Sequence, residues 1–306
     1  MFEKINGGLC EAEVLKNYPV GERFYRLSLG FEGAAADAFL SAKPGQFLEV
    51  RVDNLGVPEN ASAKIGDKAA RCPILRRPFS FVDIQPVSGG CAVDLLYCVV
   101  GPGTLRLTTL REGEKVSITG PLGNGFTLRK DKKYAIGIAG GIGIPPVEHF
   151  INHSAKESPA LNNCVFLGSR SRADMPVESV QNGAKLAEYA CCEFVGFASE
   201  DGSLGVKGYV TDAFLVWFEA SGVAPQDCAI YACGPEPMLE AVARIAHKLG
   251  IECQVSLERM MACGIGLCQS CVVEVKEGET KQYKLCCKDG PVFDSRLVFD
   301  FETEAC

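Results

Sequence analysis

The residues best suited to chemistry in this chain are Cys263-Gly-Ile-Gly-Leu-Cys268-Gln-Ser-Cys271, three cysteines spaced C-x4-C-x2-C. That spacing belongs to a [2Fe-2S] binding loop, in which a tight run of thiolates and one later cysteine hold two irons. The fourth sulfur must come from downstream, where Cys286 and Cys287 stand side by side in Lys284-Leu-Cys-Cys-Lys-Asp-Gly-Pro-Val-Phe293. Gly264 and Gly266 suit a loop curled so that sulfurs and backbone N–H groups face one anionic group. Zinc loops usually pair their cysteines as C-x2-C, and this region has one such pair, which favours iron over zinc.

Three further stretches have the chemistry of a flavin platform. Arg76-Arg-Pro-Phe-Ser-Phe81 offers a guanidinium for a pyrophosphate, an aromatic to pack on a ring and a hydroxyl for the isoalloxazine edge. Leu95-Leu-Tyr-Cys-Val-Val-Gly-Pro-Gly-Thr-Leu105 sets a strand against a Gly-Pro-Gly-Thr turn whose free N–H groups suit a phosphate. Gly120-Pro-Leu-Gly-Asn-Gly-Phe126 is a glycine-rich connector.

A second anion site follows. Tyr134-Ala-Ile-Gly-Ile-Ala139 is a continuous apolar run, as in a buried parallel strand, and Gly140-Gly-Ile-Gly-Ile-Pro-Pro-Val147 opens a helix behind it. Pro146 stands where the third Gly of G-x-G-x-x-G would be, and no Asp or Glu follows the next strand, Cys164 to Leu167, to take a ribose 2′-hydroxyl. Gly168-Ser-Arg-Ser-Arg172 comes instead, so Arg170 and Arg172 either accept the 2′-phosphate of NADP or are solvated. Cys233, at the carboxyl end of Cys228-Ala-Ile-Tyr-Ala-Cys233 and before Gly234-Pro-Glu-Pro-Met238, is placed to touch a nicotinamide. His149 and His153 lie four apart on one helix without a carboxylate motif and read as surface residues.

The elements that must position these groups fall into two patterns. As far as residue ~125 the chain alternates short apolar runs with Gly and Pro, the pattern of an antiparallel β barrel or sandwich. Its candidate strands are Leu9 to Leu15, Phe24 to Leu29, Gln46 to Val52, Ser80 to Ile84, Cys91 to Val100 and Lys115 to Thr119, with Asn54 to Arg71 a polar loop. Beyond Lys133 buried strands alternate with helices: Cys191 to Val195 as a strand, Gly208 to Glu219 as a helix, and a helix after Cys233 burying Met238, Leu239, Val242, Ile245 and Leu249. Ile251, Cys253, Val255 and Leu257 alternate as a last strand before the cysteine loop.

Length and composition bound the rest. The 306 residues predict about two domains plus a small module, and 47% hydrophobic with 23% charged residues is an ordinary globular balance. A net charge of -7 gives no reason to expect nucleic acid or an anionic membrane as a partner. Sixteen cysteines without a signal peptide in Met1-Phe-Glu-Lys-Ile-Asn, and without an apolar run of ~18 residues, point to reduced thiols in the cytoplasm. Cys72, Cys91, Cys164, Cys191 and Cys192 then read as small core residues.

The order Arg77-Pro-Phe-Ser80, Gly140-Gly-Ile-Gly143 and Cys233-Gly-Pro235 resembles the ferredoxin-NADP reductase superfamily. With Cys263, Cys268, Cys271 and the tail Cys287-Lys-Asp-Gly-Pro-Val-Phe293, nearly the whole chain is similar to the electron-transfer subunits of type B dihydroorotate dehydrogenases. The resemblance implies a multidomain β plus α/β fold. A six-stranded antiparallel FAD-binding barrel (1–127) precedes a parallel-sheet NAD-binding domain (128–250) and a small [2Fe-2S] module (251–306). By position it assigns FAD to Arg77, Pro78, Phe79, Ser80, Leu96, Tyr97 and Cys98, with Gly103 and Thr104 at its phosphates. NAD, or alternatively NADP, would fall to Gly140, Gly141, Gly143, Cys233, Gly234 and Pro235, with Ser80 and Cys233 at the reacting ring. Cys263, Cys268, Cys271 and Cys287 become the cluster ligands. Where Cys98 stands the family commonly has Arg, which removes one phosphate contact. The implied partner is an FMN-containing catalytic subunit that oxidises dihydroorotate in pyrimidine biosynthesis, in a heterotetramer with two of each chain. Other readings are an NAD(P)H reductase subunit for ferredoxin, sulfide or sulfite chemistry, and a non-catalytic redox sensor.

Overall fold

The computed structural model describes residues 8–59, 61, 65–182, 186–278 and 280–301. Met1 to Gly7, part of the Asn54 to Arg71 loop and the end of the acidic tail lie outside them.

The six alternating runs are the six strands of one closed barrel: β1 (Gly8–Pro19), β2 (Phe24–Glu32), β3 (Phe47–Val50), β4 (Arg77–Val87), β5 (Gly90–Cys98) and β6 (Lys115–Leu122). They close in the order β1-β2-β5-β4-β3-β6, every pair antiparallel. Alternation puts Val116 and Ile118 of β6 inside, while Lys115 stays in water. Helix α1 (Gly33–Leu40), which the sequence reading passed over, buries Ala36 and Phe39, and the Phe39 ring lies 4.1 Å from that of Phe31. Eight residues, three of them consecutive alanines, give too short a period to register as a helix. The polar loop after β3 buries Ala61 and Ala69 against the barrel. A short helix α2 (Pro102–Leu107) links β5 toward β6.

The second half forms a seven-stranded sheet. Its strands are β7 (Tyr134–Gly140), β8 (Asn162–Ser169), β9 (Phe194–Ser199), β10 (Val206–Lys207), β11 (Cys228–Cys233), β12 (Glu252–Ser256) and β15 (Val292–Asp294), in the order β10-β9-β8-β7-β11-β12-β15. All pairs are parallel except β12 with β15. Burial on both faces explains the unbroken apolar runs of β7 and β11. Helices α3 (Ile144–Glu157), α4 (Glu178–Asn182), α5 (Val210–Ser221) and α6 (Glu236–Leu249) connect the strands. A hairpin of β13 (Val272–Glu277) and β14 (Thr280–Leu285) and a turn of helix α7 (Ser295–Val298) complete the chain. Two strands from beyond residue 250 therefore extend the nucleotide-domain sheet.

Three sequence readings are corrected. β9 starts at Phe194, not Cys191, and Cys191 is exposed together with Cys72, while Cys91 and Cys164 are buried as expected. His149 is not a surface residue: it is 6% exposed, with its ring 6.1 Å from Phe81 of the barrel. Helix α3 is covered by the sheet on one side and by β4 on the other, so its second face is buried too. Among the described residues no helix is long and apolar enough to cross a membrane.

Candidate functional site

The sheet order reverses between β7 and β11, and ligands of open α/β sheets bind outside the carboxyl ends of the strands at such a point. The two loops that leave it are Gly140 to Gly143 and Cys233 to Pro235. A Cβ on Gly143 would lie 2.3 Å from the Cys233 carbonyl oxygen, so only glycine lets the loops meet. Gly143 thus packs the loops, whereas Gly140 and Gly141 line a cavity of about 590 Å³. Pro235 lines it as well; Gly234 lies behind, against Met238. Across the cavity stand Arg170, Glu200 and the exposed ring of Tyr209. Arg172 does not reach it, because its guanidinium donates to the Val180 carbonyl at 2.8 Å.

A second cavity, about 280 Å³, lies between the barrel and the sheet. Its barrel wall holds Arg77, Pro78, Phe79 and Ser80 of β4, Leu96, Tyr97 and Cys98 of β5, and Thr104. Arg77 donates to the carbonyls of Leu75 at 2.7 Å and Arg76 at 3.2 Å and lies over Gly103. The Thr104 hydroxyl accepts from Val100 N–H at 3.0 Å and Gly101 N–H at 3.3 Å, so it shapes the turn. Opposite are Pro145 and Pro146, in the first turn of α3, and Cys233. The two cavities share Cys98, Val100 and Ile142 in their walls. Burial pushes the Cys233 thiol well above its ordinary value, with Glu258 adding to the rise and a Ser256 hydrogen bond opposing it, so the sulfur stays protonated. Glu258, Arg259 and Met261 also line this cavity, and sequence reasoning passed over all three. Their only signal was their position between the last predicted strand and Cys263.

Met261 stands two residues before the cysteine loop. There the sulfurs meet in pairs. Cys268 N–H donates to Cys263 Sγ at 3.4 Å, and Cys287 N–H donates to Cys271 Sγ at 3.4 Å. The Gly266 N–H bonds the Cys287 sulfur. Cys286 faces the other way, donating to the Leu257 carbonyl at 3.4 Å. Hydrogen bonds from Ser270 hold the exposed Cys268 thiol down at about 6, whereas burial pushes Cys287 up to about 12. Two sulfur pairs with loop amides turned toward them suit a two-iron group, which takes two thiolates at each iron. Under the loop sits Glu49 of β3, 1% exposed, with neither carboxylate oxygen hydrogen-bonded among the described residues. A Cβ on Gly264 would come within 2.6 Å of that carboxylate, and Gly264 has φ +66°, so both space and backbone require glycine. Burial pushes the Glu49 carboxyl up to about 7, with Arg76 pulling it down and Cys268 raising it.

A barrel and a parallel sheet sharing adjoining cavities beside a thiol loop define an oxidoreductase built to pass electrons between bound groups. Residues 258–299 match the iron-sulfur cluster binding domain of dihydroorotate dehydrogenase B, and residues 138–244 match the oxidoreductase NAD-binding domain. A dihydroorotate dehydrogenase B (NAD(+)) electron transfer subunit of Caldanaerobacter subterraneus subsp. tengcongensis is 34% identical over 283 residues, 92% of this chain and 95% of that protein. That of Shouchella clausii is 36% identical over 255 residues, 82% and 85% of the two chains. A solved structure described as NADH-dependent reduced ferredoxin-NADP oxidoreductase, studied for flavin-based electron bifurcation, superposes with TM-score 0.69 at 25% identity, covering 94% of this chain and 89% of that one. The chain belongs to the family of dihydroorotate dehydrogenase B (NAD(+)) electron transfer subunits. It is an oxidoreductase subunit, and its family implies a catalytic partner chain.

Proposed function

We propose that this chain carries electrons from dihydroorotate oxidation in an FMN-containing catalytic subunit to NAD⁺, in cytoplasmic pyrimidine biosynthesis, within a heterotetramer of two of each chain. The reading divides the chain into a flavin-binding part (1–127), a nicotinamide-binding part (128–250) and a cluster-binding part (251–306), the last lending β12 and β15 to the sheet. When bound, the FAD exchanges single electrons with the [2Fe-2S] cluster and a hydride with the nicotinamide, chemistry that belongs to those groups.

The chain's residues bind and orient. Arg77, held by two carbonyls, offers its remaining donors to a pyrophosphate beside the turn at Gly103 and Thr104. Pro78, Phe79, Leu96, Tyr97 and Cys98 form the ring wall, and Ser80 supplies a hydroxyl at the reacting edge. Cys233, kept neutral by burial, packs against the nicotinamide without repelling a developing charge. Gly140, Gly141, Gly143, Gly234 and Pro235 shape the dinucleotide cradle, with Tyr209 as the exposed platform for its base. Cys263, Cys268, Cys271 and Cys287 hold the cluster.

The observation that carries the reading is the shared wall of the flavin cavity. Barrel, α3 and the Ser256–Met261 segment that runs into the cysteine loop all contribute to it, so the groups are held within one contiguous region. The test is anaerobic co-expression with the candidate catalytic subunit, followed by dihydroorotate-dependent formation of NADH. Turnover is expected only with both chains together. A purified pair with full flavin and iron content but no such turnover would overturn the reading.

A further inference from the structure

Outside the cluster loop two more cysteines stand side by side, Cys191 and Cys192, in the turn between the helical segment Ala187–Tyr189 and β9. Neither belongs to the walls of the two cavities described above. The backbone around them is tied down on both sides. Cys192 N–H donates to the Tyr189 carbonyl at 3.0 Å, and Glu193 N–H to the Asn163 carbonyl of β8 at 2.8 Å. The sulfurs meet: the Cys192 thiol donates to Cys191, and the Cys191 thiol donates to Asn152 Oδ1 of α3 at 3.6 Å. Cys191 is exposed, whereas Cys192 is half-buried.

This arrangement makes the two thiols unlike. The bond from Cys192 holds the Cys191 thiol below its ordinary value, with partial desolvation opposing and Lys156 of α3 helping, while the same bond and burial push Cys192 up. An accessible thiol that ionises readily, beside one that does not, is the pairing of an attacking and a resolving cysteine. Adjacency also sets how long the product lasts. Across the trans Cys191–Cys192 peptide the Cα atoms are about 3.8 Å apart, shorter than the roughly 4.4–6.8 Å of ordinary disulfides. A bond closed there is strained and easily reduced, as reversible disulfides are.

We propose that Cys191 and Cys192 form a thiol–disulfide exchange site for a low-molecular-weight disulfide, with Cys191 attacking and Cys192 resolving. The Cys191 thiolate bonds to one sulfur of the incoming disulfide and expels the other as a thiolate. The Cys192 sulfur gives its proton to that thiolate, bonds to Cys191 and expels the second thiolate, which takes up the proton that Cys191 lost. Two protein thiols are thus oxidised to one internal disulfide, and the incoming disulfide is reduced to two thiols. The site is independent of what the two cavities bind.

The test treats the full chain, with flavin and cluster bound, with oxidised glutathione and maps its cysteines by alkylation and mass spectrometry. The parent should gain an internal Cys191–Cys192 disulfide that excess reduced glutathione removes. Cys192→Ser should stop at a mixed disulfide on Cys191. In Cys191→Ser, Cys192 should react roughly 10-fold or more slowly than Cys191 does in Cys192→Ser. Flavin and iron content equal to the parent's show that each variant is folded. Cys72, exposed and without an adjacent cysteine, is the internal reference. A mixed disulfide that persists on Cys191 of the parent overturns the resolving role of Cys192. Modification of Cys191 no faster than that of Cys72 overturns the site.

Discussion

At the scale of single residues the sharpest question is which of two adjacent cysteines serves the cluster. Both backbone N–H groups donate to Cys271, that of Cys286 to its carbonyl and that of Cys287 to its sulfur, but the two side chains meet different surroundings: Cys287 the Cys271 sulfur and the Gly266 amide, Cys286 the Leu257 carbonyl. Cys287→Ser should therefore abolish the cluster's visible absorbance and paramagnetic signal while leaving flavin bound. Cys286→Ser should keep both, since the serine hydroxyl can donate to the Leu257 carbonyl as the thiol does. Iron analysis of the two purified variants decides it, and loss of iron from Cys286→Ser alone would reverse the assignment. Spacing made the first three cysteines legible in the sequence, because a local loop encodes its own ligand geometry. The choice between neighbours was open, since it depends on packing against Leu257, 29 residues away. For the same reason Glu49 was invisible: strand alternation says which face it occupies, and only the fold says that the cysteine loop covers that face.

At the scale of elements, α3 carries a lesson about helix faces. Its first turn, with Pro145 and Pro146, was readable from residue types that start helices. His149 was misread because a polar residue at helical spacing usually marks water, whereas here β4 covers that side as well. Burial holds the His149 imidazole down at about 4 against an ordinary 6.5, with Asp83 opposing and His153 and Lys156 reinforcing. In the unfolded chain it takes up a proton near its ordinary value; in the fold it stays neutral. Its contribution to stability is thus complete above about 6.5 and is lost as pH falls toward 4. Urea unfolding at pH 7 and pH 5 should differ by ~2 kcal/mol on account of this one group. His149→Phe, which packs against Phe81 without a titrating nitrogen, should show that much less dependence over the same interval. Equal pH dependence in both proteins would mean that the histidine is protonated in the folded chain.

At the scale of the whole molecule the function depends on how barrel and sheet are held, since both cavities are lined from both sides. The seam has an inner and an outer part. On the outside, Arg23–Asp174 and the Tyr18–Glu178 hydrogen bond are solvated and contribute little, ~0–1 kcal/mol each. Inside, Arg26 of β2 pairs with Glu148 of α3 at 3.2 Å, and the Tyr189 hydroxyl donates to the same carboxylate at 3.1 Å. These side chains are 16% and 6% exposed, so neither charge has water to replace a lost partner. Arg26→Met should cost ~3 kcal/mol or more by leaving the carboxylate buried with only a tyrosine. The double variant Arg26→Met, Glu148→Met should recover most of that loss, because no charge then remains to be desolvated. Denaturant unfolding of the four proteins gives the coupling directly, and additive losses would mean that the pair contributes nothing as a pair. Of the four, Arg26→Met should also slow flavin reduction by NADH while flavin and iron content stay normal. The residues proposed to bind flavin lie on the barrel and the loops proposed to bind the nucleotide on the sheet, so a loosened seam would separate the bound groups before it releases either.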